Sequence, residues 1–151
     1  NPRLEHFEGI ERYEVDPGWR IEAEFTPAEA GTSIEIENVI GQIIDWDVAG
    51  TLSFTHEGEH VQMVALGTGS RLFIPFADGT SGTETYPAGR FVYIDRPGSG
   101  EKAILDFNYS YNPPCAINPH TTCPLPPAQN RLSFPIRAGE LNFDMYEKEE
   151  S

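Results

Sequence analysis

Thr51-Leu52-Ser53-Phe54-Thr55 and His60-Val61-Gln62-Met63-Val64-Ala65-Leu66 stand on either side of His56-Glu57-Gly58-Glu59. Two runs of β-forming residues around a short polar turn containing glycine predict a β-hairpin. The same signal recurs upstream. Over residues 20–25, Ile21, Ala23 and Phe25 alternate with Glu22 and Glu24, and over 33–39 Ile34 and Ile36 oppose Glu35 and Glu37. Period-two alternation is the mark of a strand with one buried face. Gly41 predicts a turn or bulge before a further strand over 42–48. Downstream, residues 71–76, 89–95 and 102–108 continue the series, with Pro97, Gly98 and Gly100 forming a hairpin loop between the last two. A final strand is expected over 131–136. The expectation is an all-β, mostly antiparallel barrel or sandwich of about nine short strands with a long Pro-rich loop. No apolar stripe of helical period is long enough for a major helix. The first twenty residues read as a lead-in around Asp16-Pro17-Gly18. With no repeat and no linker, residues 1–140 are expected to form a single β domain and 141–151 an acidic tail.

Charge narrows the partners. The 151 residues hold 24 acidic and 10 basic side chains, a net charge of −14. Nucleic acid needs clustered cations and is not an expected partner, and anionic membranes are disfavoured for the same reason. Only Lys102 and Lys148 are lysines; the other eight cations are arginines. An acidic surface poor in lysine fits a halophilic protein, because molar salt shrinks the Debye length to about 3 Å and screens self-repulsion. No apolar run is long enough to span a bilayer, and no signal-peptide core is visible. The expected location is the cytoplasm. The chain begins at Asn1 without a methionine, which leaves a removed upstream signal open. Oligomeric state is not legible.

Two segments are too polar for plain β connections. Residues 76–90 pack Gly79, Gly82, Pro87 and Gly89 together with the hydroxyls of Thr80, Ser81, Thr83, Thr85 and Tyr86. Residues 106–130 form a long loop with six prolines, and long ordered loops in compact domains are commonly functional. The strings Asp-Gly-Thr-Ser-Gly-Thr-Glu-Thr-Tyr (78–86), Ala-Gly-Arg (88–90), Asp-Phe-Asn (106–108), Tyr-Asn-Pro-Pro-Cys-Ala (111–116), Cys-Pro-Leu-Pro-Pro (123–127), Asn-Arg-Leu (130–132) and Ala-Gly-Glu (138–140) resemble an uncharacterised prokaryotic family, the domain of unknown function DUF1684. The resemblance covers residues 7–140. It implies a shared β fold and a shared polar cluster, and no activity.

Alternation sets Asp106 and Asn108 on one face of their strand, with Arg90 opening the strand before it. If those strands are hairpin partners, Arg90 and Asp106 pair across the sheet. Asp78, Thr80, Thr85, Tyr86, Tyr111, Asn112, Asn130 and Glu140 are expected to converge on them at one barrel end. One reading is a binding site in which a held guanidinium grips a small anionic molecule in its fork. The other is a structural or interaction domain in which the same residues form a buried network fixing the Pro-rich loop. Glu140 suits a general base or a cap on loop amides.

Cys115, His120 and Cys123 form Cys-x4-His-x2-Cys, three weak candidates for a metal that wants four ligands or three plus water. Free thiols are the plainest reading, with a disulfide in an oxidising compartment and a metal site as alternatives. His56 and His60, beside the hairpin turn, are expected in solvent; Trp19 and Trp46 are expected in the core or at its rim. Neither a nucleophile elbow, a zincin helix, a P-loop nor a dinucleotide fingerprint is present. The sequence therefore predicts no cofactor and assigns no reaction.

Overall fold

A computed structural model of the chain describes residues 11–114 and 123–142. Its strands are β1 (Arg20–Pro27), β2 (Ser33–Glu37), β3 (Ile43–His56), β4 (Glu59–Leu66), β5 (Arg71–Phe76), β6 (Arg90–Asp95) and β7 (Ala103–Asp106). They lie in the order β6-β5-β4-β3-β1-β7, with β2 paired to β3 off that path. Every strand pairing is antiparallel. The sheet curls into a nearly closed barrel, so its end strands β6 and β7 come side by side without a ladder between them.

The fold is all-β, as expected, with seven strands among the described residues rather than nine. Two expected strands, 42–48 and 51–55, are one. β3 runs through Gly50 with a register shift between Val48 and Gly50. A Cβ on Gly50 would lie 2.4 Å from the Thr26 carbonyl oxygen and 2.8 Å from the Phe25 ring. Glycine therefore lets the strand bend against β1 instead of ending. The first half of β3 pairs with β2, the second half with β1 and β4. The strand expected over 131–136 is extended chain held by one parallel bridge, Ala77 to Arg131. Pro135 offers it no donor, and the Ile136 N–H is taken by the Asp78 carboxylate.

Alternation divides the apolar residues between two cores. Leu52, Met63, Leu72, Ile74, Val92 and Leu105 fill the barrel interior. Phe73 and Phe91, one residue out of phase, face outward and pack with Ile36, Leu66 and Cys123 under β2. The β3–β4 hairpin closes as its sequence predicts, with His56 opposite Glu59 and left-handed Glu57 and Gly58 at the turn. His60 is exposed, but His56 is half-buried, stacked on Trp19 at 5.0 Å and on Phe134 at 4.3 Å. The expectation of a solvent histidine fails there because the lead-in lays Trp19 over the hairpin end. Trp19 and Trp46 rest half-buried against the two cores.

Candidate functional site

Arg90 opens β6, and its side chain points inward, where it is wholly buried. A charge there must be paired and hydrogen-bonded, or it would not stay charged. Nη1 donates to the carbonyls of Ala138 and Glu140, the latter at 3.1 Å, and Nη2 donates to Ile136 at 3.0 Å. Its counter-ion is Asp78 at 3.6 Å, also with no exposed side chain. The Phe76 ring lies below the guanidinium at 5.3 Å. Burial pushes the Arg90 guanidinium below its ordinary value, and the Asp78 carboxylate opposes that.

Asp78 does more than balance charge. Its carboxylate accepts from the Thr80 and Ser81 hydroxyls and from the Ile136 amide. Thr80 in turn shares a 2.9 Å hydroxyl contact with Thr85, and both threonines are wholly buried. The Thr80 carbonyl collects the amides of Thr83, Glu84 and Thr85, so the turn closes on itself. Gly89 has φ of 99°, and a Cβ on it would fall 2.4 Å from the Phe76 carbonyl oxygen. Its freedom serves a close backbone contact. Tyr86 is half-buried in the same loop.

The expected pairing of Arg90 with Asp106 does not occur. β6 and β7 are the unpaired ends of the sheet, so no ladder carries one residue to the other. Asp106 stands opposite Arg20 on β1 and caps the 3-10 turn Phe107–Tyr109, accepting from the Asn108 amide at 3.0 Å. Asn108 ties the lead-in to that turn, donating to the Asp16 carbonyl at 2.8 Å and accepting from the Asp16 amide. Tyr111 exchanges two backbone bonds with Phe91. Asn112 donates its N–H to the Glu140 carboxylate at 2.8 Å and its side-chain amide to the Leu141 carbonyl at 2.9 Å. Glu140 also accepts from Arg12 at 3.2 Å, so its carboxylate caps a loop amide. Arg90 Nε, Ser110 Oγ and Asn112 Oδ1 are buried with no partner among the described residues.

Asn130 lies elsewhere, between β4 and β5, wholly buried. Those strands keep one ladder pair, Leu66 with Phe73; two residues on, the same register sets Val64 opposite Pro75. Proline has no N–H to give. The Asn130 side chain fills the break, accepting from the Val64 amide at 2.7 Å and donating to the carbonyls of Val64 at 3.0 Å and Pro75 at 2.8 Å. A side-chain amide thus stands in for a peptide group.

The candidate residues therefore separate into four places: Asp78, Thr80, Thr85 and Arg90, with Tyr86 in the same loop and Asn112 and Glu140 adjoining; Asp106 with Asn108; Asn130; and Tyr111 beside Phe91. What unites them is that most of their bonds go to backbone. Cys123 is in a disulfide, which overturns the free-thiol reading; its carbonyl meets the Val39 amide. The chain's other cysteine, Cys115, lies outside the described residues, as does His120. A thiol in a disulfide is no metal ligand, and among the described residues no group of His, Cys, Asp and Glu could hold an ion. No helix among them is long and apolar enough to cross a membrane.

A model of proteins of unknown function, DUF1684, matches residues 5–141. The chain belongs to the DUF1684 family. A solution NMR structure of an uncharacterised protein from Haloarcula marismortui is similar at 32% identity and a TM-score of 0.75, over 96% of this chain and 82% of that one. No curated protein matches. The Ala138-Gly139-Glu140 turn that receives Arg90 lies within the matched range. Tyr13 and Arg137 flank Glu84 at 2.6 and 3.2 Å; neither stands in a motif, so spacing along the chain gives no sign of them. Sequence reasoning passed over Arg20, Arg71 and Tyr93, whose outward positions follow from strand alternation.

Proposed function

We propose that this DUF1684 member is a structural or interaction domain whose Arg90–Asp78 cluster is an internal brace rather than an anion site. The carrying observation is that Arg90 is 0% exposed and directs both terminal nitrogens at protein oxygens. A ligand anion would have to displace three carbonyl contacts and a carboxylate to reach it. The brace ties the 78–89 loop and the first residue of β6, which directly follows it, to the distant 136–140 segment.

The test is thermal and chemical unfolding of wild type and Arg90→Lys, each with and without a panel of small anions. An ammonium cannot reproduce the planar fork that reaches three carbonyls. Arg90→Lys should cost about 3 kcal/mol, as breaking a buried pair does. Any anion that raises the wild-type melting temperature should raise that of Arg90→Lys by the same amount. A stabilising anion whose effect vanishes in the mutant would instead place a ligand at Arg90.

A further inference from the structure

Cations are scarce in this chain, and their distribution is uneven. Eight of the ten lie in described residues, and four of those eight, Arg20, Arg71, Arg96 and Lys102, line a single cleft of about 840 Å³. It lies on the outer surface over the seam where β6 and β7 fail to pair. Arg71 and Arg96 stand on the β5–β6 side, Arg20 and Lys102 on the β1–β7 side.

These four charges are not equally available. Lys102 is held by Glu24 at 2.6 Å, and Arg96 donates to the carbonyls of Gly69 and Gly67. Arg20 and Arg71 are exposed and spend no donor on a hydrogen bond or salt bridge among the described residues. The Arg71 guanidinium is stacked 4.9 Å above the Tyr93 ring, which fixes its plane while leaving its in-plane donors unspent. Two of the cleft's carboxylates are already engaged: Glu101 accepts from the Gly98 amide and Asp106 from Asn108. A bond from a neutral amide does not cancel a carboxylate's charge, so Glu101, Asp106 and Asp95, the last opposite Arg71 on β6, together repel a ligand of high charge.

The floor is aromatic. Tyr93 stacks on Tyr111 at 6.2 Å with the rings 9° apart. Tyr93 is 39% exposed and Ile104, across the seam, 38%. The part of Tyr93 that Arg71 and Tyr111 leave open, together with Ile104, offers an apolar surface within the cleft.

We propose that this seam cleft binds a small aromatic monocarboxylate, with Arg20 and Arg71 taking the carboxylate and Tyr93 and Ile104 the ring. The site is separate from the Arg90 brace and shares no residue with it. Two guanidinium groups with unspent donors in one cleft favour a carboxylate, the exposed parts of Tyr93 and Ile104 favour a ring, and the three carboxylates of the cleft disfavour a ligand of higher charge.

The experiment is NMR titration of the isotope-labelled full chain with naphthoate, acetate, benzyl alcohol and adenosine monophosphate at fixed ionic strength. Naphthoate should shift Tyr93, Ile104 and Arg71 saturably. Acetate, lacking the ring, and benzyl alcohol, lacking the charge, should bind at least about tenfold more weakly. Arg20→Gln and Arg71→Gln, both at exposed positions, should each weaken naphthoate about tenfold with the melting temperature unchanged. Tyr93→Ile should weaken naphthoate more than acetate, since it removes ring contact as well as the support of Arg71. Shifts confined to other residues, variants without effect, or acetate or benzyl alcohol matching naphthoate would overturn the proposal. Tighter binding of adenosine monophosphate would overturn its single-charge term.

Discussion

Tyr13 shows how a single residue couples the lead-in to the brace. Its hydroxyl donates to Glu84 at 2.6 Å, and Arg137 grips the same carboxylate from the other side. Burial, and then the hydrogen bond to Glu84, push Tyr13 up to about 12 from 10. The Tyr13 bond and then Arg137 hold Glu84 below its ordinary value of 4.5. The two signs differ. Tyr13 is raised in the folded state, so its contribution is complete below pH 10 and is lost as pH climbs toward 12. Glu84 is depressed, so its contribution is present above 4.5 and fades as pH falls below that. Tyr13→Phe should lower stability near neutrality by about 1 kcal/mol and make the alkaline decline shallower. Denaturant melts across pH, with tyrosinate absorbance followed in parallel, check this. A titration in which every tyrosine ionises near 10 would contradict it.

At the scale of elements, the barrel depends on repairs where strands cannot pair. Gly50 allows β3 to turn against β1. Asn130 completes the β4–β5 ladder where Pro75 cannot donate. The Asn130→Ala variant would leave the Val64 amide and two carbonyls buried and unmatched, at about 1–3 kcal/mol for each unsatisfied group before relaxation. The expected loss is about 3 kcal/mol in denaturant unfolding, among the larger effects of a single polar truncation. Asn130→Asp should be nearly as damaging, since a carboxylate can accept from Val64 but cannot donate to the two carbonyls. A loss below about 0.5 kcal/mol for Asn130→Ala, the scale of an ordinary surface change, would mean that the ladder does not need this amide.

For the whole molecule, charge is the governing quantity. A net charge of −14 on 151 residues repels itself in dilute buffer, and screening should relieve that. Melting temperature is expected to rise steadily as potassium chloride goes from low to molar concentration. A flat or falling curve would remove the halophilic reading. The Arg90–Asp78 pair, shielded from solvent, should contribute almost equally at both ends of that range. The Arg90→Lys deficit is therefore expected to change little with salt. The disulfide at Cys123 bears on location. Disulfides persist in oxidising compartments and are rare in reducing cytosol, which weighs against the cytoplasm that the sequence suggested.

Local signals in the chain determined the class of the fold and most of its strands. Alternation in 20–25 and 33–39, and the Glu57-Gly58 turn, depend on contacts within a few residues, and such contacts are written in sequence spacing. Local signals also marked Arg90, Asp78, Asn130 and Glu140 as unusual, because polar residues among glycines and prolines are costly without a purpose. Their partners were decided by tertiary structure alone. Arg90 meets the carbonyls of 136–140 rather than Asp106 because it points into the barrel with Val92. Asp106, out of phase with the buried Leu105, lies on the outer face of a strand that β6 does not pair with. Backbone carbonyls leave no trace in side-chain patterns, so a network built on them cannot be read from composition or spacing. Barrel closure leaves a seam between β6 and β7 and gathers Arg20 and Arg71, 51 positions apart in the sequence, on its two sides.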